Sequence, residues 1–533
     1  MQRHRPERVF PLIGLLLAGA CTAEQYARQA QRSADQVLSR HQQEVIAQRE
    51  RTVHQPLKKD AEPLPGLPPP APREVQELSL ARALEIGVVS NRNFVAQREN
   101  LLTTALSLVS AGHVFSPQLS STLGYIYRGD NLLTDFEKGP ETQNLTGTLG
   151  VSQLFPYGGR LSIDGSTALF RTNDEFALDP TTYSSSLAVR LTQPLLRGFG
   201  RTVTMEGLVQ AERNLIYAIR DYELFREDFS IDVARQFYGL VQQAESIENA
   251  KLNLEAFIFG RRQAEALFEV GRTNELDVLR ARRSELTSTN SLIEAQESYE
   301  LSLDQFKVFL GLSPADRISI LPEAPEFVPV RYDIASAIDV ALENRLDLLN
   351  RKEQLEDSYR SEYIAKDGLL PDLNLDLGYD LSLGPAGHFS GQRENPDGYS
   401  AGVSLELPLD RVDERNSYRQ AQIASAQARR NFQLFVDNLV IEVKSAFREL
   451  ERRQQSLEIQ RQLIIDQEKN ATIAQLRFEQ GDFSNRDVVE AQQSLLEARN
   501  SLIQERVNYE IARLELLQDL GILFVDQQGM FKE

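Results

Sequence analysis

The sequence states its plan twice. Pro117, Leu119, Leu123, Gly124 and Tyr125 recur as Pro371, Leu373, Leu377, Gly378 and Tyr379, 254 residues later. Phe268, Glu269, Gly271, Asp277, Val278, Ala281 and Ser284 recur as Phe478, Glu479, Gly481, Asp487, Val488, Ala491 and Ser494, at a spacing of 210. The second spacing holds through Leu310-Gly311 and Leu520-Gly521. Two halves with the same internal order imply a duplicated structural unit, and a repeat of this kind constrains the fold before any single motif does. The two spacings differ by 44 residues, which places an extra segment in the first half after Tyr125.

A chain of 533 residues would ordinarily suggest three or four domains, but a duplicated elongated unit overrides that expectation. The formal net charge of −19 argues against nucleic acid as a partner. With 41% hydrophobic residues, a mean hydropathy of −0.36 and no apolar run of about 18 residues, the chain is not a bundle of membrane helices. A membrane β-barrel is compatible with the same composition, because only alternate residues of its strands are apolar.

The N-terminus reads as an address. Arg3, Arg5 and Arg8 precede an apolar stretch from Val9 to Ala20, and small residues then meet Cys21, the only cysteine. Residues 1–20 are read as a secretory signal peptide. The cysteine resembles a lipoprotein acylation site, with Ala18 where such sites prefer Leu and Leu17 one step earlier. A non-lipidated signal peptide is the alternative. Thr22 after the cysteine implies delivery to the outer membrane by the same resemblance. A single cysteine excludes a disulfide framework within the chain. Residues 21–77 are read as a lipidated tether: polar and helix-prone to Asp60 with no sustained apolar face, then proline-rich from Glu62 to Pro72.

Repeat 1 is assigned to residues 78–311, a linker to 312–333, repeat 2 to 334–522 and a tail to 523–533. Leu80 to Val109 reads as one amphipathic helix. Strand alternation follows at Leu119–Tyr127, Leu145–Val151, Leu161–Leu169 and Leu187–Leu191 in the first half, and at Leu373–Leu381 and Val403–Leu407 in the second. Long helices come next. Val233, Leu240, Ile247 and Leu254 fall at heptad spacing, as do Val443, Leu450, Leu457 and Ile464, and sustained heptads favour knobs-into-holes packing. A helix from Val203 to Phe268 would be roughly 100 Å long. Glycines at 271 and 481 break each rod, and shorter helices return over Glu275–Leu310 and Asn485–Leu520. A returning helix plus an opening helix matches one long helix in length. This suggests short helices stacked end to end beside long ones, with the returning helix of repeat 2 under the opening helix of repeat 1.

Strands set at one end of long helices suit a membrane barrel carrying a helical tube, since only a closed barrel satisfies strand backbone groups in lipid. Two to six strands cannot close a wide pore, so the barrel must be shared between chains. Without Trp, an interfacial girdle would fall to Tyr and Phe.

The duplicated order and the two tip signatures, Phe268-Glu-Val-Gly271 with Asp277-Val278 and Phe478-Glu-Gln-Gly481 with Asp487-Val488, resemble the TolC-type outer membrane efflux proteins over Leu78 to Ile522. The resemblance implies a mainly α fold with β: a trimeric outer-membrane β-barrel continuous with a long periplasmic α-helical barrel, built from two tandem repeats. It implies a homotrimer that passively exports substrates, working with a periplasmic adaptor (a membrane fusion protein) and an inner-membrane transporter in a tripartite efflux or type I secretion system. By the same resemblance Asp487 and Glu490 form acidic rings at a periplasmic gate and Asp277 joins a closing latch. The tip residues Phe268, Gly271, Val278, Phe478, Gly481 and Val488 would receive the adaptor. Carboxylates at i and i+3 share a helix face, and stacked acidic rings would select cations. Two solvated carboxylates at a helix start are the plainer reading. The arginine that pairs with the latch aspartate in some family members is replaced by Phe483, which leaves Arg486 or Arg272 as the partner. The additional 44 residues depart from a four-strand pattern, as an added hairpin or an extracellular excursion.

No chemistry competes with this reading. Gly398-Tyr-Ser400-Ala-Gly402 matches a nucleophile-elbow pattern, but it opens a strand and no His follows His388. Neither a phosphate loop nor a Cys/His cluster is present in the sequence, so no cofactor or metal is expected. The competing class is a soluble periplasmic coiled-coil adaptor or scaffold, which the strand pattern in both halves disfavours.

Overall fold

A computed structural model describes residues 23–46, 76–129, 141–173, 181–323, 328, 333–383, 398–480 and 482–532. Cys21, Gly481, the signal segment and the proline-rich tether lie outside the described residues. The elements in chain order are α1 (Ala23–Ile46), β1 (Gln76–Leu78), α2 (Leu80–Ser90), α3 (Arg92–His113), β2 (Gln118–Gly129), β3 (Glu141–Leu154), β4 (Arg160–Thr172) and β5 (Thr181–Pro194). They continue with α4 (Arg201–Thr204), α5 (Glu206–Glu269), α6 (Glu275–Leu310), β6 (Ile318–Ile320), α7 (Ile334–Asn344), α8 (Leu346–Asp367), β7 (Asp372–Leu383) and β8 (Gly398–Glu406). The last are α9 (Val412–Gln480), α10 (Asn485–Asp519), β9 (Phe524–Val525) and β10 (Phe531–Lys532). The chain divides into two compact units, one drawn from the described residues within 1–44, 102–218 and 352–432, the other from those within 45–101, 219–351 and 433–533.

The first unit is built on one antiparallel sheet of six strands in the order β2-β3-β4-β5-β7-β8. Four strands come from the first half and two from the second. The expected strand segments fall within these six, except that Leu407 lies one residue beyond the end of β8. Register puts residues of one parity on one face. Leu119 pairs with Val151, Val151 with Ile163, Ile163 with Val189, Val189 with Tyr379 and Tyr379 with Tyr399. A second row runs Tyr125, Leu145, Leu169, Tyr183. Opposed residues share a face, so one face is an apolar field across the whole sheet. On the other face Thr122, Thr148, Ser166, Ser186 and Ser382 form one row, and Asp164 and Asp380 lie in another. Much of the apolar field is exposed in the single chain, including Leu119, Leu123, Tyr125, Tyr379 and Tyr399. Beside the sheet, Tyr217 of α5 donates to Asp357 of α8 at 2.7 Å, and Arg360 donates to the same carboxylate at 2.7 Å. Burial and that carboxylate push the Tyr217 phenol well above its ordinary pKa.

In the same unit α1 departs from expectation. It buries Ala34, Leu38 and Gln42, a stripe at i, i+4 and i+8. The stripe is narrow and one member is Ala, so it does not register as an apolar face in composition.

The second unit is helical, with two short strand pairs. The heptad residues are its buried seams: Val233, Leu240 and Ile247 on α5, and Val443, Leu450 and Leu457 on α9. An aromatic cluster joins α2, α3, α5 and α6, with Phe94 and Phe229 rings 5.1 Å apart and Phe229 stacked on Phe309 at 5.6 Å. Such pairs add about 1 kcal/mol each beyond area burial. The segment expected as a linker, 312–333, contains β6, which pairs in parallel with β1. Beyond the last helix the chain remains packed. Leu523 is buried, β9 pairs with β10, and the buried Arg226 donates to the carbonyls of Val525 and Asp526 at 3.1 and 2.6 Å.

Two expectations are corrected in this unit. The helix over Leu80–Val109 is two helices, broken at Asn91. The Asn91 side-chain Oδ1 accepts from Phe94 N at 2.8 Å, and its side-chain Nδ2 donates to Phe309 O at 2.5 Å. The side chain thereby starts the second helix while tying the break to the end of α6. The returning helices also end elsewhere than expected. Gly311, after α6, lies against Ser90 and Asn91, and Gly521, after α10, lies against Asn344 and Arg345. Each returning helix therefore meets the break between opening helices of its own half. Both glycines have positive φ, 82° and 68°, and a Cβ would fall 2.0 Å from Ser90 O in one case and 2.9 Å from Asn344 C in the other. Only glycine meets both demands.

Candidate functional site

Both helix tips lie in the second unit. At the first, α5 ends in a left-handed turn: Gly271 has φ 72°, Gly271 N donates to Phe268 O at 2.9 Å, and Arg272 N donates to Leu267 O at 2.8 Å. These paired bonds satisfy the last carbonyls of the helix, a Schellman closure that needs glycine at its αL position. At the second, Asp482 N donates to Arg477 O at 2.9 Å, the counterpart bond at the 210-residue offset. The tip motif thus encodes a backbone turn first.

The helices that leave the tips are capped differently. Asn274 caps α6, its side chain accepting from Asp277 N at 2.9 Å. Ser484 caps α10, and the Asp487 carboxylate reaches back to accept from Ser484 N at 2.8 Å and from Ser484 Oγ at 2.7 Å. The Ser484 hydroxyl, and after it the Ser484 backbone, holds the exposed Asp487 below the usual carboxylate range, so it is fully ionised at neutral pH. Glu490, at i+3, is also exposed. Asp487 lies in the first turn of α10 and Glu490 follows it three residues on.

Asp277 sits differently. It accepts from Thr273 Oγ1 at 3.2 Å and from Arg280 Nη1 at 3.3 Å, both next to it in sequence. Neither Arg272 nor Arg486 is its partner here. Phe483, where some relatives of the motif carry an arginine, lies under the Arg477 guanidinium at 5.2 Å from its ring centre. A cation–π contact therefore lies within the second tip.

The candidate docking residues separate into two groups. Phe478 and Val488 are buried at 7% and 8% exposure, packed with Ala471, Ala474, Ala491 and Leu495. Phe268 is 45% exposed and Val270 68%, and Val278 is half-buried. Between the two hairpins lies a cleft of about 250 Å³ whose lining includes Phe257, Arg261, Ser284, Gln475, Asn485 and Val488. Arg261 is neutralised there by Glu265, at 2.6 Å, and by Glu285. Asn485 is buried and its amide nitrogen has no hydrogen-bond partner. Sequence reading passed over Asn485 and Arg477, because a residue beside a cap and an arginine on a long helix carry no signal of their own.

Among the described residues no helix is long and apolar enough to cross a membrane, and no group of acidic, His or Cys residues could hold a metal ion. The sheet has one mainly apolar and one mainly polar face and is joined in one chain to heptad helices. Known proteins share parts of this sequence and this fold. The family model described as outer membrane efflux protein matches residues 337–521. Outer membrane protein TolC of Vibrio cholerae serotype O1 is 23% identical over 319 residues, covering 59% of this chain and 72% of that protein. The outer-membrane channel OprN has the same fold, with a TM-score of 0.62 at 17% identity, covering 83% of this chain and 89% of that one. The outer membrane protein VceC from Vibrio cholerae gives 0.61 at 16% identity, covering 83% and 96%. Residues 337–521 are thus similar to outer membrane efflux proteins, and a longer stretch is similar to TolC at low identity. Most of the chain shares its fold with solved outer-membrane channels.

Proposed function

We propose that three copies of this chain form the exit duct of a tripartite export system, with the six-stranded sheets closing one shared barrel in the outer membrane. The observation that carries this reading is the sheet itself. The strands place most of their apolar residues on one face and mainly polar residues and Gly on the other, with Ile126 and Phe170 as exceptions. The apolar face suits lipid and the polar face a water-filled lumen. Among the described residues its outer strands, β2 and β8, each have one neighbour, and open edges are not tolerated in a bilayer. An even number of strands lets β8 of one copy meet β2 of the next in the antiparallel sense already used throughout. Three copies would give a barrel of about 18 strands, within the range of known outer-membrane barrels.

The two halves act as tandem repeats, residues 78–311 and 334–522, each supplying an equivalent wall segment. Cys21 anchors the chain through acyl groups after removal of residues 1–20. The duct is passive, and energy comes from an inner-membrane transporter reached through a periplasmic adaptor. Adaptor contact falls chiefly to the first tip, where Phe268 and Val270 are exposed around Gly271. Phe478 and Val488 shape the second tip from within.

Asp487 and Glu490 supply acidic rings at the periplasmic constriction, with Asp277 and Arg280 on the neighbouring hairpin. The test is conductance of the full-length protein in planar bilayers. Asp487→Ala combined with Glu490→Ala should raise single-channel conductance and reduce cation preference, because a narrow negatively charged ring is removed. Unchanged conductance and selectivity would remove both residues from the constriction. A chain that stays monomeric and soluble without detergent, once its acyl anchor is deleted, would overturn the shared barrel.

A further inference from the structure

The joint between opening and returning helices is built twice, and the two copies differ in charge. In the first half Gly311 packs on Ser90 and Asn91, and the contacts are an amide hydrogen bond and aromatic rings: Asn91 to Phe309 O, and Phe309 against Phe229. In the second half Gly521 packs on Asn344 and Arg345. Here the residues at the repeat positions of Asn91 and Phe309 are Arg345 and Asp519. An apolar joint in one half has become an ionic joint in the other.

The ionic joint is unbalanced. Arg345, with its side chain 13% exposed, donates twice to Asp347, at 3.1 and 2.6 Å, and once to Glu442 at 2.9 Å. Asp519 receives only a longer approach from the same guanidinium, 3.6 Å. Three carboxylates from α8, α9 and α10 share one cation. Glu515, one turn before Asp519, adds a fourth, and it is paired at 2.7 Å with Arg235 of α5, which also holds Asp232. Asp228 of α5 accepts from Gln518 at 2.6 Å. Asp519 also ends α10, where the helix dipole disfavours negative charge.

We propose that this joint is a proton-operated clasp: Asp519 takes up a proton, and the C-terminal end of α10 then seats firmly against the break at Arg345. Burial is the first cause, and Glu442 the next, of a rise in the Asp519 carboxyl to about 7, against a partial counterweight from Arg345. The folded pKa lies above the unfolded value of a carboxylate. Stabilisation is therefore complete in acid, persists below the folded value and is lost as the pH rises through about 7. The clasp tightens when the surroundings acidify and loosens when they turn alkaline. Its first-half counterpart, held by an amide and phenylalanines, has no such dependence.

Hydrogen exchange on the full-length protein in detergent tests this, with rates corrected for the intrinsic pH dependence of amide exchange. Protection of the amides at 516–521 should rise about tenfold between pH 8 and pH 6, as a single group with this shift requires. The amides at 308–311 should show no corresponding rise. In Asp519→Asn, which fixes a neutral side chain of the same shape, the 516–521 dependence should vanish. In Glu442→Gln, which removes one competing carboxylate, its midpoint should move to lower pH. An undiminished pH dependence in Asp519→Asn, an equal dependence at the first-half joint, or a midpoint unmoved in Glu442→Gln would overturn the proposal.

Discussion

The two helix tips share a sequence motif and a backbone turn, yet they use their aromatic residue in opposite ways. Phe478 is a core residue, closed over by Ala471, Ala474, Val488, Ala491 and Leu495. Phe268, its counterpart, is 45% exposed beside the more exposed Val270. The glycine recurs in the sequence, and the bond from Arg272 N to Leu267 O has its counterpart in the bond from Asp482 N to Arg477 O. The surroundings of each aromatic ring are set by other segments, so they differ. A repeated motif therefore guarantees a shared turn, and the division of labour between packing and presentation must be read from the neighbours.

The largest expected contrast follows directly. Phe478→Ala should cost about 3 kcal/mol, as for other buried Phe to Ala changes, and it should appear as lost hydrogen-exchange protection across residues 471–495. Phe268→Ala should change stability by no more than about 0.5 kcal/mol. It should weaken capture of a periplasmic adaptor by the purified channel, read by surface plasmon resonance. Equal stability losses at the two positions would erase the distinction between the tips.

A smaller effect of the same kind is expected one turn into the returning helices. Val488 is buried and its counterpart Val278 is half-buried. Val488→Ala should destabilise the second tip by roughly 1–2 kcal/mol, and Val278→Ala the first by roughly half that, both measured by exchange at the tip amides. A larger loss at Val278 would mean that the first tip is packed more tightly than its exposure indicates.

These contrasts mark where sequence reading reaches. Strand positions were legible because a two-residue period in Leu, Val, Ile and Tyr survives inspection, and the register places those residues on one face. The heptads on α5 and α9 were legible for a similar reason: one face of each must be buried along its length. The break at Asn91 was not, because it interrupts no apolar periodicity and is made by one side chain hydrogen-bonding to a residue 218 positions away. At the tips, the glycines and the i, i+3 carboxylates were visible as local patterns. Which phenylalanine is covered depends on how tightly its own hairpin packs, and that Asn485 is buried with an unpaired amide nitrogen has no local signature. The Asp277 partner was sought in Arg272 or Arg486, but Arg280 lies one turn along the same helix and needs no chain reversal to reach it.

Capping gives a third comparison, smaller again. Asn274→Ala at the first tip and Ser484→Ala at the second should each cost about 1 kcal/mol, the ordinary value of a helix N-cap, visible as fraying of the first turn of α6 or α10. Similar losses would confirm that both returning helices depend on a cap whatever packs around the tip.

The chemistry of the two caps nevertheless separates them by pH, and this is the smallest effect expected. The first tip is capped by the Asn274 amide, which does not titrate. The second depends on the Asp487 carboxylate, whose bonds from Ser484 hold its pKa below the ordinary value of 3.8. For a depressed acid the sign is the reverse of that at Asp519: stabilisation is present above the unfolded pKa and disappears as the pH falls through the folded one. Exchange protection of the first turn of α10 should therefore be constant from pH 7 to about 5 in this respect and weaken below about 4. Asp487→Asn should remove that acid-dependent component while leaving the fold intact. If protection in the variant still fell with the wild-type profile, the carboxylate would not be what ties Ser484 to α10. The capping box would then be incidental to the tip, and Asp487 would be left to the pore alone.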